Sequence, residues 1–127
     1  MTPDAAWLLL GLLVAHYLGD FTPLATARMQ RAKAVGRPLT PIAGHAAVHA
    51  VLVGVAVVSL SGAAAGVAMA AILFEFATHF AIDVTRGRLG GVAPALADPA
   101  RNPYWWVLGA DQLAHGAVLV AVASFVL

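Results

Sequence analysis

The chain contains no cysteine among its 127 residues. This absence excludes a disulfide framework, a thiolate metal site and a cysteine nucleophile, so any metal must be bound by imidazole and carboxylate groups. Charged residues are scarce as well, because they make up 10% of the chain, whereas an average soluble domain carries roughly 25%. With 61% hydrophobic residues and a mean hydropathy of +0.87, the sequence has the composition of an integral membrane protein.

A basic stripe interleaved with aromatic residues, which is typical of nucleic-acid-binding proteins, is also missing. The seven Lys and Arg residues lie in and beside two linkers, and the formal net charge is only +1. We therefore expect no nucleic-acid partner. The N-terminal residues lack the basic side chains of a secretory signal, and the apolar run after them contains His16 and Asp20. We expect this run to be the first membrane helix.

Four apolar segments approach or exceed the length of about 20 residues that crosses a hydrocarbon core. They are residues 4–20, 41–60, 63–86 and 104–127. Only Ser61 and Gly62 separate the second segment from the third, which predicts a tight antiparallel hairpin. The sequence thus predicts an all-α membrane protein, a single domain of residues 1–127 built as a four-transmembrane-helix bundle.

Two basic linkers determine the expected orientation of this bundle. Residues 21–39 hold four basic residues and no acid, and residues 87–103 hold two basic residues against one acid. By the positive-inside rule both linkers face the cytoplasm, so both termini are expected outside. The basic and apolar residues of 26–35 could also form a short interfacial helix on the inner membrane surface.

Histidines are the polar residues that the apolar segments do contain. All five lie four residues from another histidine or from a carboxylate. The pairs are His16 with Asp20, His45 with His49, Glu75 with His79, His79 with Asp83, and Asp111 with His115. Residues four apart on an α-helix differ by about 40° and project from one face. Because such groups are costly in an apolar environment unless paired or bound to a cation, the spacing predicts one shared polar site.

The predicted site lies in one half of the membrane. Counting about 1.5 Å per residue from the cytoplasmic end of each helix places all nine of these residues in the inner half. The outer half offers only Asp4 and three serines near the helix ends. We therefore expect a pocket that opens to the cytoplasm. Three basic residues at its mouth are candidate substrate contacts: Lys33, Arg86 and Arg88.

Imidazole nitrogen combined with carboxylate oxygen suits zinc, manganese or iron, and the nine residues suffice for one or two ions. All nine are candidate ligands: His16, Asp20, His45, His49, Glu75, His79, Asp83, Asp111 and His115. Asp20 and Asp83 are either ligands or groups that orient an imidazole, and Glu75 is either a ligand or a general base. Two metal-free alternatives are hydrogen bonding between helices and a proton relay.

Five motifs follow one another along nearly the whole chain. They are His16-Tyr-Leu-Gly-Asp20-Phe21, Met29-x-x-x-Lys33, His45-x-x-x-His49, His79-x-x-x-Asp83 and Asp111-Gln112-x-x-His115. This ordered set resembles a family of small bacterial integral membrane proteins, the domain of unknown function numbered 3307. The resemblance implies a protein of the bacterial inner (cytoplasmic) membrane and supports the same polar positions. The family has no established activity, and this chain departs from its pattern at Arg86, where a Lys is expected.

For function, the first hypothesis is a metal-dependent membrane hydrolase. A bound divalent ion would polarise a phosphoryl or acyl oxygen and activate a water, while Glu75 or Asp83 takes the proton. The basic residues at the mouth suit an amphiphilic substrate from the membrane, such as a phosphorylated lipid. Two further hypotheses are a non-catalytic metal-binding or transport protein and a non-haem iron oxidoreductase.

Overall fold

A computed structural model describes residues 3–127, and these residues form five α-helices and one short 3₁₀ helix without a strand. The helices are α1 (Pro3–Phe21), α2 (Ala27–Val35), α3 (Leu39–Ser61), α4 (Ala65–Val92) and α5 (Asn102–Val126), and the 3₁₀ helix is Pro94–Leu96. Helices α1, α3, α4 and α5 are long and apolar enough to cross a membrane. This confirms the predicted all-α fold with four membrane helices. The sidedness and the bacterial inner membrane stay predictions.

The observed boundaries differ from the predicted ones mainly at the end of α4. This helix continues to Val92, six residues past the predicted end at Arg86, whereas every other predicted end lies within two residues of the observed one. The prediction ended the helix where the apolar run ends. The backbone instead stays helical up to Ala93, which is extended and precedes Pro94, because proline disfavours the helical conformation of the residue before it.

The predicted hairpin between α3 and α4 is present. Gly62 adopts a positive φ of 64°, a conformation that glycine reaches without steric cost. The Ser61 hydroxyl donates to the carbonyl of Val57 at 2.6 Å and accepts from the Ala63 amide at 3.2 Å. The Ser61 hydroxyl thus links the last turn of α3 to the connection, which is only three residues long.

The short helix α2 packs against both α3 and α4. Thr26 caps its start, where the hydroxyl accepts from the Met29 amide at 3.3 Å, and Gly36 caps its end with a φ of 68°. A side chain at Gly87 on α4 would collide with the backbone of Gly36, so the backbones of α4 and of the end of α2 are in direct contact. The predicted helix in this linker is therefore confirmed, and the close contact brings the last turn of α2 against the bundle.

Two layers follow one another along the bundle. We call the end where α1 and α4 finish and α3 and α5 begin the basic end, because both basic linkers lie there. The opposite part contains a cluster of buried apolar side chains, which we call the apolar layer: Leu8, Leu12, Val53, Ala56, Val57, Ala68, Ala71, Leu119 and Val122. The buried histidines and acids lie between the apolar layer and the basic end.

Candidate metal centre

All five imidazoles meet inside the bundle. His16 comes from α1, His45 and His49 from α3, His79 from α4 and His115 from α5, and each is buried. The closest rings are those of His49 and His79, whose centroids lie 3.8 Å apart. The i, i+4 spacing therefore does place these side chains on facing helix surfaces.

One group of potential metal ligands consists of Asp20, His45, His49 and His79, which offer ligand atoms within 4.8 Å of one another. We call it the first group. Nε2 of His45 lies 3.0 Å from Oδ1 of Asp20, and Nε2 of His49 lies 3.7 Å from the same oxygen. Nζ of Lys33 lies 2.7 Å from that oxygen and 2.8 Å from Nε2 of His45. An ammonium group thus already provides positive charge beside the first group.

A second group consists of His79, Asp83 and His115. Nε2 of His79 lies 3.5 Å from Oδ2 of Asp83, and Nε2 of His115 lies 3.9 Å from Oδ1. Behind the rings, Nδ1 of His115 donates to the backbone carbonyl of Asp111 at 2.9 Å, and Nδ1 of His79 lies 3.2 Å from Oε1 of Glu75, to which it donates when Glu75 is a carboxylate. A neutral imidazole that donates through Nδ1 has a lone pair on Nε2. Two nitrogen lone pairs therefore face one carboxylate.

Unpartnered buried atoms concentrate at this centre. Within residues 3–127, the buried side-chain atoms of the centre that lack a hydrogen-bond partner include Nδ1 and Nε2 of His16, both ring nitrogens of His49, Nε2 of His79, both carboxylate oxygens of Asp83 and Nε2 of His115. Buried polar groups are normally hydrogen-bonded, because leaving them unpaired is costly. A bound cation would satisfy the lone pairs together, so the donor set fits a metal.

The formal charges around the centre point the same way. Four carboxylates, those of Asp20, Glu75, Asp83 and Asp111, lie among the neutral imidazoles. Two cationic side chains accompany them, since Lys33 contacts Asp20 and Arg86 lines a cleft together with Asp111. The acids of the centre thus outnumber its cationic side chains, which favours a cation over an anion among them.

Three of the nine predicted ligands lie outside both groups. Glu75 sits behind His79 as its hydrogen-bond acceptor, and Asp111 holds His115 through its backbone carbonyl. His16 lies beside the first group, with Nε2 3.3 Å from Oδ2 of Asp20 and its ring 5.0 Å from that of His49. The remaining six predicted ligands belong to the groups: Asp20, His45, His49, His79, Asp83 and His115. Their binding of a metal stays a prediction.

The three predicted substrate contacts occupy different places. Lys33 points into the centre, where its ammonium also lies 3.4 Å from Asp83. Arg86 is half-buried and lines a polar cleft of about 370 Å³ between α1, α2, α4 and α5. Arg88 is exposed next to the contact between Gly36 and α4, and it does not line this cleft.

Neither Gly19 nor Gln112 was assigned a site role from the sequence. A Cβ at Gly19 would collide with the imidazole of His49, so this glycine makes room for the ring. Gln112 lines the polar cleft and donates to Oδ2 of Asp111 at 3.2 Å. The position of Gly19, directly before Asp20 within the first motif, is a signal that could have identified it.

Comparison with known proteins gives a family without an assigned function. The family model described as "Protein of unknown function (DUF3307)" matches residues 8–127. No curated protein and no solved structure matches the chain. The matched region includes every residue of both ligand groups, and it spans all but the first seven residues. The chain therefore belongs to the DUF3307 family.

Proposed function

We propose that this chain is a membrane-embedded metal-binding protein, and that it uses the metal to hydrolyse an amphiphilic substrate with a phosphoryl group. The observation that carries the metal assignment is the arrangement around Asp83, where Nε2 of His79 and Nε2 of His115 face the two carboxylate oxygens. Both rings donate their Nδ1 protons to acceptors on the far side. The lone pairs on these two nitrogens and on the Asp83 oxygens then face one another, and a bound cation would relieve their repulsion. Zinc, manganese and iron all suit a set of imidazole and carboxylate ligands.

The polar cleft supports hydrolysis over simple metal storage. It leads from the basic end to Asp20, Lys33 and Asp111, and it also carries Arg86. A metal at the centre would polarise the phosphoryl oxygen and lower the barrier to attack by water. Lys33 and Arg86 are positioned to bind the negatively charged head group, because ammonium and guanidinium groups both recognise phosphate.

Asp111 is the carboxylate best placed to take a proton from the attacking water. It lines the cleft, and its buried Oδ1 has no hydrogen-bond partner among the described residues. Asp20 also lines the cleft, but Lys33 and His45 already contact its Oδ1. We therefore assign the base to Asp111 in place of Glu75 or Asp83, because Glu75 holds His79 and Asp83 faces the two imidazoles.

The apolar layer favours an enzyme over a transporter. An ion that crosses the membrane needs polar groups along its path. Beyond the centre, the bundle interior is filled by fully buried side chains such as Leu8, Leu12, Val57 and Leu119. The apolar layer fills the interior on the side of the centre away from the basic end, which suits chemistry on a substrate that does not cross the bundle.

Elemental analysis of the detergent-purified protein tests the metal assignment. We expect a transition metal that is lost in His115→Ala and kept in Thr78→Ala, a control on α4 whose hydroxyl bonds only its own helix backbone. Equal metal content in both variants would contradict the proposal. For the reaction, metal-loaded protein should release phosphate from dodecyl phosphate, and Asp111→Asn should abolish release while it keeps the metal.

A further inference from the structure

An apolar groove of about 380 Å³ runs along the outside of the bundle between α4 and α5. Ala81, Ile82 and Leu89 form one wall, and Val107, Ala110 and Ala114 form the other. The groove is open on the outside of two helices that are long and apolar enough to cross a membrane, so lipid is its expected neighbour. Its volume is near the lower end of the range of about 300 to 1,000 Å³ that is typical of small-molecule sites. It therefore suits one hydrocarbon chain better than two.

The groove and the polar cleft meet. Arg86 and Asp111 line both of them, so an apolar furrow and a polar chamber share one boundary. A ligand that fills both must have an apolar part and a polar part. This shape is complementary to an amphiphile whose chain lies between the helices and whose head group lies in the cleft.

Arg86 indicates the charge of the head group. Its Nε is buried and has no hydrogen-bond partner among residues 3–127, and its guanidinium carbon lies 5.7 Å from the centre of the Tyr104 ring. Arginine stays charged and donates in a planar fork that matches a phosphate. Lys33 adds a second positive charge to the same cleft, but it already pairs with Asp20, and Asp111 is a second carboxylate in the lining. Arg86 therefore supplies the main attraction for an anionic head group, and Lys33 adds to it.

We propose that the groove between α4 and α5 admits a single-chain anionic amphiphile sideways from the bilayer, with its phosphate against Arg86 and Lys33. This inference rests on the proposed function, because the cleft leads the head group to the metal centre. The hydrocarbon chain of the amphiphile binds by contact with Ile82, Leu89 and Val107, so its binding does not need the metal. Recognition of the amphiphile and chemistry upon it are thus separable.

Photo-crosslinking of metal-free protein in lipid nanodiscs tests this inference. The probe is dodecyl phosphate with a diazirine in its chain, and mass spectrometry locates the labelled residues. We expect labels between residues 81 and 114 on α4 and α5. Ala114→Trp, which fills the groove, should reduce labelling at least fivefold, and Ala81→Leu on the opposite wall should also reduce it. Ala117→Trp is the matched control, because Ala117 is exposed on α5 and does not line the groove.

The head group is tested separately. Arg86→Gln should weaken labelling by the phosphate probe about tenfold, as expected for the loss of a charge-assisted contact, and should leave labelling by the matching alcohol unchanged. Equal labelling of wild type, Ala114→Trp and Ala81→Leu would contradict binding in the groove. Equal labelling of wild type by the phosphate and by the alcohol would contradict recognition of an anionic head group. Groove labelling in a protein that binds no metal would leave this inference standing and overturn the proposed hydrolase.

Discussion

The apolar layer and the candidate metal centre are built by the same four membrane helices, yet their buried side chains differ in the polar atoms that they leave without a partner. In the apolar layer, side chains such as Leu8, Leu12 and Val57 have no exposed surface and no polar atom to satisfy. In the metal centre, equally buried groups such as His79 and Asp83 leave lone pairs unpaired. Packing in the apolar layer leaves no polar atom to satisfy, whereas the centre holds polar atoms without a hydrogen-bond partner next to the ion pairs of Lys33 with Asp20 and Asp83. The comparison identifies the centre as the part of the bundle where a cation could bind.

The largest expected effect is the loss of metal in His79→Ala. His79 belongs to both ligand groups, so its removal takes a donor from each. A change at a group that merely orients a ligand typically costs 10- to 100-fold in affinity, and a lost ligand should cost more than 100-fold. Metal affinity by competitive chelation checks this. Unchanged affinity would remove the distinction between the two regions, because the centre would then be a hydrogen-bonded core.

The apolar layer should respond in the opposite way. Leu12→Ala leaves a cavity in a fully buried site and should lower the free energy of unfolding by about 2 to 4 kcal/mol, with little change in metal affinity. The matched control is Leu13→Ala, because Leu13 is 48% exposed on the same helix. Denaturant titration in mixed micelles measures the difference. A larger loss in Leu13→Ala would show that α1 is oriented differently.

Glu75→Gln sharpens the boundary between ligand and supporting residue. The amide oxygen still accepts from Nδ1 of His79 but no longer carries a charge, so we expect metal affinity to fall about tenfold. Isothermal titration calorimetry would show the change. A loss as large as that in His79→Ala would instead make Glu75 a direct ligand, as the sequence also allowed.

The smallest effect is expected at Lys33, where the sign is the informative result. Lys33→Gln removes the positive charge that lies 2.7 Å from Asp20, so a divalent cation meets less repulsion and should bind several-fold more tightly. Arg31→Gln is the control, because Arg31 is exposed on the same helix. Weaker binding in Lys33→Gln would mean that the ammonium holds the ligands in place for the metal.

Much of the architecture follows from local sequence patterns. The helical period places His45 with His49 and His79 with Asp83 on common faces, and the lengths of the apolar segments give the four membrane helices. The sequence pattern does not show how each helix is rotated about its axis or which residues of different helices are in contact. Glu75 has the same spacing from His79 as Asp83 has, yet only Asp83 enters a ligand group.

Lys33 shows that contacts between distant segments could not be predicted from the sequence pattern. Its charge predicted a place at the mouth of the pocket, but its ammonium lies inside the centre because α2 packs against the bundle. That packing depends on the direct backbone contact between Gly36 and Gly87, which are about 50 residues apart in the chain. Spacing within one segment carries no information about such a contact.

The three-residue connection between α3 and α4 has a consequence for biogenesis. Two helices joined so closely are expected to leave the translocon as one helical hairpin, which brings His45 and His49 together with His79 at the moment of insertion. Asp20 on α1 has already been synthesised by then. All four residues of the first ligand group are thus synthesised before α5, and His115 is the last residue of the second group to be synthesised.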